Sequence, residues 1–395
     1  MPPRDKIAKL SADFHLAVDP DARVGSLTVG ERQRVEILKA LYREARILIL
    51  DEPTAVLTPQ ETDDLFTTLR EAVTKGLSIV FISHKLHEVM DIAHRVVILR
   101  HGKVVAEMAT TDTDRHALAA AMVGSTVSTP RVAPGVPGKA LLHLDAVRTP
   151  DRGSAPGLKS VTVSLRAGQI TGLAGVSGNG QAALADLIAG LSTPAMGQIN
   201  LDGHTLATWS PRAAVEHGIA RIPEDRHKTG TIADFSLTEN AILESYYKPP
   251  MSRAGWMSWS QAEAETQAII KGYDVRCPGP DTRIRLLSGG NMQKLILGRV
   301  LEANPRIILA NQPVRGLDIG AVNYVHEQLL KARDRGAAVL LISEDLDEIM
   351  ALSDVIQVMS EGRLSPEFAR GTMTPAELGV WMAGHGFDEG LAHAS

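Results

Sequence analysis

The chain has 395 residues, of which 44% are hydrophobic and 22% are charged, a balance that excludes a mostly disordered protein. The length predicts two or three domains. The 41 basic and 46 acidic side chains give a net charge of -5, which argues against a general nucleic-acid binder. The single cysteine, Cys277, excludes an intrachain disulfide and fits a reducing compartment. No apolar run approaches the roughly 20 residues that cross a bilayer, so a membrane role is expected to go through partners.

Two segments of the chain repeat each other. The segment LTVGERQRVEILKALYREARILILDEPT, from Leu27, matches LSGGNMQKLILGRVLEANPRIILANQPV, from Leu287. The offset is 260 residues, and it still holds between Gly124 and Gly384 without a gap. Chance similarity does not keep its register over such a length. The sequence therefore predicts a tandem duplication, with two copies of one fold.

A proline- and glycine-rich stretch separates the two copies. The residues STPRVAPGVPGK, 128–139, cannot continue a helix or a central strand, which predicts an interdomain linker. The first domain is then 1–127 and the second 140–395. At the offset of 260, the first copy has no counterpart of residues 140 to about 260. We therefore expect the chain to begin inside its first domain, as an N-terminally truncated copy.

The predicted elements alternate between helices and strands in both copies. In the first copy a helix carries Val35, Leu38 and Leu41 on one face, and an amphipathic helix follows the first strand. The predicted strands are Ile47–Leu50, Ser78–Ile82 and Val96–Leu99. The short, continuous apolar run of the first strand predicts a central, fully buried parallel strand. This alternation predicts a doubly wound α/β domain, in which the chemistry lies at the carboxyl ends of the strands.

Polar side chains follow two of these strands. Asp51 and Glu52 end the strand LILDEP, where an aspartate can hold Mg²⁺ beside a phosphate and a glutamate can activate water. The alternative is an ordinary strand end with two solvated acids. His84 closes the next strand, where it either contacts a γ-phosphate or has only a structural role.

A glycine-rich loop, GVSGNGQAA, follows the apolar run Ile170–Ala174 and precedes a predicted helix over 182–191. This is the strand–loop–helix context of a phosphate-binding loop, in which glycines let backbone N–H groups surround an anion. Gln181 stands where such loops carry lysine, and Ala182 where they carry serine or threonine. We therefore favour a degenerate phosphate loop over a plain glycine-rich turn.

The motif LSGGNMQ places a serine and two glycines at the start of a predicted helix. The N–H groups exposed there, with the helix dipole, attract an anion. Ser288 is also a good N-cap residue, and the isolated motif is explained by that role alone.

Together these motifs resemble the ATP-binding-cassette (ABC) ATPases, whose fold is a P-loop NTPase with a helical subdomain. LTVGERQ and LSGGNMQ look like the two signature motifs, LILDEPT like a Walker B strand, GVSGNGQAA like a Walker A loop and His84 like the switch histidine. The segments AVLTPQE, IPEDRHKTG, ANQPVRGLD and SEDLDE are similar to the tandem subunits that energise import of simple sugars and nucleosides.

The resemblance implies ATP and Mg²⁺ as cofactors and two composite sites, each with Walker motifs from one copy and the signature from the other. In the first site Asp51 would hold the metal, and the catalytic residues would be Glu52 and His84. The signature facing them would supply Ser288, Gly289 and Gly290. The second site would combine Gly175, Gly178, Gly180 and Gln181 with Leu27, Thr28 and Gly30.

The resemblance also implies that the two sites are unequal. At the offset of 260, the acids of the first site become Asn311 and Gln312, and the histidine becomes Glu344. An amide supplies neither a carboxylate for Mg²⁺ nor a base, so we expect the second site to bind nucleotide but hardly to hydrolyse it. The first copy has no Walker A loop within these 395 residues, so the isolated chain is expected to have negligible ATPase activity.

The partners that the resemblance implies are integral membrane permease subunits and, indirectly, an extracytoplasmic solute-binding protein. The chain would then lie at the cytoplasmic face of the membrane and bind no nucleic acid. The segment Arg221–Tyr247 maps to the permease contact, where Tyr246 and Tyr247 either meet the permease or pack within the helical subdomain.

Two other functions stay open at this point. One is a truncated or regulatory nucleotide-binding module without ATPase activity of its own. The other is a tandem cassette protein of translation or DNA repair, which the acidic balance and the lack of zinc-type cysteines disfavour.

Overall fold

The structure is a computed structural model that describes residues 3–389 except 15, 17, 28, 55–58, 84, 101, 124–132, 154, 177, 207 and 318. Contacts divide the chain into two compact units, Met1–Ser128 and Thr129–Ser395. The boundary falls at the start of the predicted linker. The end of that linker packs on the second unit, because Gly135 N–H donates to Asp354 Oδ1 at 2.8 Å and Gly138 N–H to the Ala167 carbonyl at 2.8 Å.

The first unit packs helices against one face of a short parallel pair of strands. Its helices are α1 (Pro3–Asp13), α2 (Val29–Tyr42), α3 (Pro59–Thr74), α4 (Leu86–Ile92) and α5 (Arg115–Val123). Its strands are β1 (Ile47–Asp51), β2 (Ser78–Ile82), β3 (Arg95–Arg100) and β4 (Lys103–Ala109). Strands β1 and β2 pair in parallel, whereas β3 and β4 form an antiparallel hairpin.

The second unit is built on a seven-stranded sheet in the order β10-β13-β14-β7-β15-β16, with β17 also paired to β15. A four-stranded antiparallel sheet, β6-β5-β8-β9, and a small hairpin, β11-β12, complete its strands among the described residues. The strands are β5 (Ala140–Arg148), β6 (Val161–Arg166), β7 (Ile170–Ala174), β8 (Met196–Leu201), β9 (His204–Thr205), β10 (Ile219–Ile222), β11 (Ser252–Arg253), β12 (Trp256–Met257), β13 (Ile307–Asn311), β14 (Ala338–Ser343), β15 (Val355–Ser360), β16 (Arg363–Leu364) and β17 (Phe368–Ala369).

Some helices of the second unit cover this larger sheet and others pack beside it. The helices are α6 (Gln181–Ile188), α7 (Pro211–Glu216), α8 (Leu237–Ala241), α9 (Trp259–Gly272), α10 (Gly289–Glu302), α11 (Ile319–Asp334), α12 (Leu346–Leu352), α13 (Pro375–Met382) and α14 (Gly386–Glu389). One apolar core lies between the sheet and the helices that include α10 and α11, and the other between the sheet, the antiparallel strands and α6. A helical region from 237 to 302 packs beside the first core, as α8, α9 and α10 contact one another.

The predicted duplication is confirmed in the element boundaries. Helices α2 and α10, α3 and α11, and α4 and α12 begin and end 260 residues apart, and so do strands β1 and β13. Each copy also has a single 3₁₀ turn before its signature helix, Val24–Ser26 and Ile284–Leu286. The shared local sequence therefore folds in the same way in both copies.

The prediction that Ile47–Leu50 is fully buried is wrong. Leu48 and Leu50 are buried against α2 and α3, but Ile47 is 63% exposed and Ile49 67% exposed. The reason is that the sheet β1-β2 is covered on one face only in the described part of the first unit. In the second unit every residue of β13 is buried, because β5, β6 and α6 cover the corresponding face.

An ion pair joins the edge of the antiparallel sheet to the start of β13. The Arg306 guanidinium donates two hydrogen bonds to Asp202, at 2.6 and 2.7 Å, and Lys139 Nζ lies 3.1 Å from the same carboxylate. The bonds from Arg306, and secondarily Lys139, hold the pKa of Asp202 well below its usual range. Because the folded-state pKa is lowered, this stabilisation is present above the unfolded value of about 3.9 and is lost as the pH falls further.

Asp202→Asn is therefore expected to destabilise the second unit at pH 7 by up to about 1 kcal/mol, since the pair is partly exposed. The difference in stability between the variant and the wild type should begin to shrink below about pH 4 and vanish only as the pH falls through the lowered pKa of Asp202. Tryptophan fluorescence during urea unfolding measures this, because all four tryptophans lie in the second unit. If the free energies of unfolding of the variant and the wild type differ by the same amount at pH 7 and at pH 3, the stability does not depend on ionisation of Asp202.

Candidate nucleotide sites

The acidic pair lies at the carboxyl end of β1, as the sequence predicts. Asp51 is the last residue of the strand and is exposed, and Glu52 is half-buried. Glu52 has a φ of 48°, and its N–H donates to the Ile82 carbonyl at 2.8 Å. A left-handed backbone at a residue other than glycine is strained, and such residues concentrate at functional sites. The fold thus holds the two carboxyl groups beyond the strand end.

The second unit repeats this backbone with amide side chains. Gln312 has a φ of 50°, and its N–H donates to the Ile342 carbonyl at 2.8 Å. Asn311, at the position of Asp51, is only 5% exposed. The two copies therefore share a geometry and differ in chemistry.

The other predicted residues of the first unit lie partly outside the described residues, since His84 and Thr28 are not described. Leu27 is half-buried and ends the 3₁₀ turn, its N–H donating to the Val24 carbonyl at 3.3 Å. Gly30 lies in the first turn of α2. The signature of the first unit therefore begins a helix, as predicted.

The glycine-rich loop joins β7 to α6 as predicted. Gly178 and Gly180 have φ values of 86° and 111°, which only glycine adopts freely. A cavity of about 420 Å³ lies beside the loop, and its lining includes Arg152 and Asp186. The loop therefore has the open backbone and the adjacent space that a phosphate loop needs.

The side chain of Gln181 lies across this loop and is almost fully buried. Its Nε2 donates to the Val176 carbonyl at 2.9 Å, and its Oε1 accepts from Asn179 N–H at 3.1 Å. One of the loop N–H groups is thus already bonded to a neutral oxygen. This arrangement competes with an incoming phosphate, and no fixed positive charge replaces the missing lysine at this position.

Gln181→Lys is expected to tighten nucleotide binding to the second unit by about tenfold or more, because a charge-assisted hydrogen bond to phosphate replaces a neutral one. Titration with a fluorescent ATP analogue measures the Kd. Gln181→Met, which fills a similar volume, removes the competing oxygen without adding charge and should tighten binding much less than Gln181→Lys. Equal affinity for the lysine variant and the wild type would contradict the prediction.

The signature of the second unit begins α10. Ser288 is the N-cap, and its Oγ accepts from the Asn291 backbone N–H and from Asn291 Nδ2, the latter at 3.0 Å. Ser288 is exposed, while Gly289 and Gly290 are half-buried. The N-cap role, which the sequence left open, is therefore present in the structure, and it leaves the serine hydroxyl proton free to be donated.

Arg226 is a candidate that the sequence did not single out. Its Nη2 donates to the Arg315 carbonyl at 2.6 Å, and a Cβ built on Gly289 would lie 3.6 Å from its Cζ. Asp225 caps the turn that bears it, and the Lys228 N–H is the main cause that lowers the pKa of Asp225. Burial lowers the pKa of Arg226. The sequence analysis identified the segment IPEDRHKTG, but it did not predict that Arg226 of this segment lies close to Gly289.

The two tyrosines of the predicted permease segment differ in exposure. Tyr246 is 51% exposed, whereas Tyr247 packs under the Arg212 guanidinium, 4.9 Å from its ring, and beside Lys248 Nζ at 5.3 Å. The Tyr246 ring, which packs edge-to-face on Tyr247 with the ring centroids 5.5 Å apart, is therefore the more exposed of the two.

Within the described residues, no helix combines the length and apolar composition needed to cross a bilayer. The same residues contain no group of three or more histidine, cysteine or acidic side chains placed to hold a metal ion.

Comparison with known proteins places these features in a family. The profile of the ABC transporter family matches residues 3–55 and 158–315. The nucleoside import ATP-binding protein NupA of Lactococcus lactis is 39% identical over 98% of this chain and 76% of its own length. The guanosine import ATP-binding protein NupO of Bacillus subtilis is 43% identical over 96% of this chain and 74% of its own length. The glucose import ATP-binding protein TsgD13 of Haloferax volcanii is 42% identical over 97% of this chain and 70% of its own length.

Solved structures support the same fold. A nucleotide-free ATP-binding cassette from an ABC transporter aligns over 62% of this chain and 99% of its own, with a TM-score of 0.52 and 20% identity. A dimeric ATP-binding cassette in a post-hydrolysis state, bound to ADP and Pi, aligns over 59% and 100%, with a TM-score of 0.51 and 22% identity.

The fold and its sites define a tandem α/β P-loop ATPase. The chain belongs to the ABC transporter family, among the ATP-binding subunits of the sugar and nucleoside import type.

Proposed function

We propose that the chain is the ATP-binding subunit that couples ATP binding and hydrolysis to import of a simple sugar or nucleoside through a membrane permease. The observation that carries the proposal is the strained carboxyl end of β1, where Glu52 keeps a left-handed backbone beside Asp51. The sugar and nucleoside import relatives support the class of solute.

We propose that the first copy supplies the hydrolytic residues. Asp51 would hold Mg²⁺, usually through water, and the ion would neutralise charge on the β- and γ-phosphates. A single exposed carboxylate fits this ion, because Mg²⁺ usually takes one or two carboxylates and completes its shell with phosphate and water. Glu52 would orient or deprotonate the attacking water, and His84 would contact the γ-phosphate. Ser288, Gly289 and Gly290 would bind the phosphates from the other side as the signature.

We propose that the second copy binds nucleotide without hydrolysing it at a useful rate. Its residues would be Gly175, Gly178, Gly180 and Gln181, with Leu27, Thr28 and Gly30 as the signature. Asn311 and Gln312 hold the same backbone as the acids of the first copy but carry no charge. The glycine loop can supply N–H groups to phosphate, but its Asn179 N–H is occupied by Gln181.

The partners proposed for the chain are integral membrane permease subunits, with an extracytoplasmic solute-binding protein acting through them and no nucleic acid. This arrangement would hold the chain at the cytoplasmic face of the membrane. The exposed ring of Tyr246 lies in the segment expected to meet the permease. The net charge of -5 supports the absence of nucleic acid.

A regulatory nucleotide-binding module is the second candidate. The amides at positions 311 and 312 and the glutamine across the glycine loop favour it, because they make one copy unsuited to hydrolysis. It differs from the first candidate in predicting nucleotide binding without turnover in the transporter.

Reconstitution of the protein, at its native length, with its permease in proteoliposomes tests the proposal. Uptake of labelled nucleosides and simple sugars is expected to require ATP and Mg²⁺ and to release phosphate in proportion. Nucleotide binding without either uptake or phosphate release would favour the regulatory module and contradict the proposal.

A further inference from the structure

Both copies bury a glutamate in the helix that follows the second strand. Glu88 in α4 is 1% exposed, and Glu348 in α12 is 5% exposed. The two positions are 260 residues apart. A buried carboxylate is costly unless it is hydrogen-bonded, and neither glutamate has a place in the mechanism proposed above.

In the first unit, this carboxylate bonds to two loops. Glu88 Oε2 accepts from Thr54 Oγ1 at 2.6 Å and from Ser83 Oγ at 3.1 Å. Lys85 Nζ lies 3.3 Å from Glu88 Oε1. Thr54 comes two residues after Glu52, and Ser83 and Lys85 flank position 84. Glu88 therefore connects the loop that carries the proposed base to the loop that carries the proposed switch histidine.

The second unit keeps only half of this connection. Glu348 accepts from Ser343 Oγ at 2.6 Å, as Glu88 does from Ser83. The position of Thr54 is taken by Val314, which has no donor, and His326 Nε2 from α11 lies 2.9 Å from Glu348 Oε1. In both units the serine oxygen accepts the backbone N–H two residues further on, at 3.1 Å. The second unit, which carries Asn311 and Gln312 at its strand end, therefore also lacks the side-chain bond that Thr54 makes to Glu88 in the first unit.

We propose that Thr54 and Glu88 are positioning residues, which fix Glu52 relative to the switch loop through the bridge Thr54–Glu88–Ser83. The inference rests on the proposed function, in which the first copy hydrolyses ATP. The bond from Thr54 is a short O–H···O bond of 2.6 Å between two buried groups, so both partners are held in one geometry. Without it the strand-end loop keeps its backbone bond to β2 and the long bond from Lys85 Nζ to the Thr54 carbonyl, at 3.5 Å, but loses its bond to α4.

The test is Thr54→Val in the transporter with the protein at its native length, because valine keeps the shape and removes the hydroxyl. We expect kcat for ATP to fall about 10- to 100-fold, since a displacement of about 1 Å at a reacting group costs that order, with KM for ATP nearly unchanged. Thr54→Ser keeps the hydroxyl and should stay within about threefold of the wild type. Val314→Thr, the matched change in the second copy, should leave kcat unchanged.

The assembled transporter is quantified for each variant, so that turnover refers to folded protein. If Thr54→Val assembles with normal kcat, or if Thr54→Ser loses as much as Thr54→Val, the positioning role is wrong. If Thr54→Val does not assemble, Glu88→Met, which removes the acceptor from the bridge, decides: kcat near the wild type contradicts the inference. A wild-type transporter that does not hydrolyse ATP overturns the proposed function instead, as does a Glu52→Gln variant with full turnover.

Discussion

Replacing Glu52 with glutamine is expected to lower ATP turnover of the assembled transporter by about 100-fold or more, because loss of a general base costs about 10²- to 10⁴-fold. The amide cannot accept the proton of the attacking water. The chain itself indicates that glutamine suits this backbone, since Gln312 has a φ of 50° where Glu52 has 48°. The loss should therefore reflect chemistry rather than folding, and phosphate release at saturating ATP measures it.

The matched control lies in the other copy. Gln312→Glu is expected to raise turnover by less than about twofold, because Asn311 and Gln181 still leave that copy without a metal ligand or a fixed cation. A large gain from Gln312→Glu, together with substantial turnover in Glu52→Gln, would reverse the assignment of the two copies. Unchanged nucleotide binding in both variants would show that only hydrolysis has been altered.

The regular elements could be predicted because their signals are local. The runs Ser78–Ile82 and Ile170–Ala174 are the strands β2 and β7, and the offset of 260 fixes the second copy once the first is known. The helix predicted over 182–191 ends earlier, at Ile188, because Gly190 adopts a φ of 76°. Because Gly190 lies within an apolar run, the sequence pattern did not predict that the helix ends before it.

Burial depends on what packs on a strand, and the apolar run alone does not specify it. Ile49 and Leu309 occupy the same position in the repeat, yet Ile49 is 67% exposed and Leu309 is fully buried. The difference comes from the antiparallel sheet and α6, which cover β13 in the second unit. Sequence periodicity carries no information about that layer, because its residues lie more than a hundred positions away.

The site was predictable to the level of motifs. The positions of Asp51, Glu52, the glycine loop and Ser288 follow from strand ends and a helix start, which are local features. The bond between Gln181 and Asn179 and the approach of Arg226 to Gly289 depend on side-chain paths that no motif specifies. The sequence thus predicts which residue types lie at the candidate sites, but it does not predict the side-chain contacts that these residues make.

The second large effect is expected at Gly362, in the turn between β15 and β16. This glycine has a φ of 76°, and a Cβ built on it would lie 1.9 Å from the Gly157 carbonyl oxygen. Its N–H donates to the Asn179 carbonyl at 2.8 Å, so the same turn also anchors the glycine-rich loop. An alanine there must move either the 157 segment, whose Pro156 lines the cavity beside the glycine-rich loop, or the turn, which bonds to that loop at Asn179.

Gly362→Ala is expected to destabilise the second unit by about 1–2 kcal/mol for the left-handed backbone and by about 1–3 kcal/mol more for the clash. Gly336→Ala is the matched control, because Gly336 has a φ of 99° and open space within 4 Å. The free energy of unfolding of that variant should fall only by the amount expected for a left-handed backbone, without the further loss expected from the clash. Urea unfolding followed by tryptophan fluorescence reports on this unit only, since the first unit contains no tryptophan.

The same pair of variants separates packing from anchoring of the loop. Because Gly362 bonds to Asn179 and Gly336 does not contact the loop, only Gly362→Ala should also weaken binding of a fluorescent ATP analogue at urea concentrations where the unit stays folded. Equal losses of stability in the two variants would mean that the turn relaxes without strain. A stability loss without weaker nucleotide binding would mean that the turn packs against the loop but does not hold it in its binding conformation.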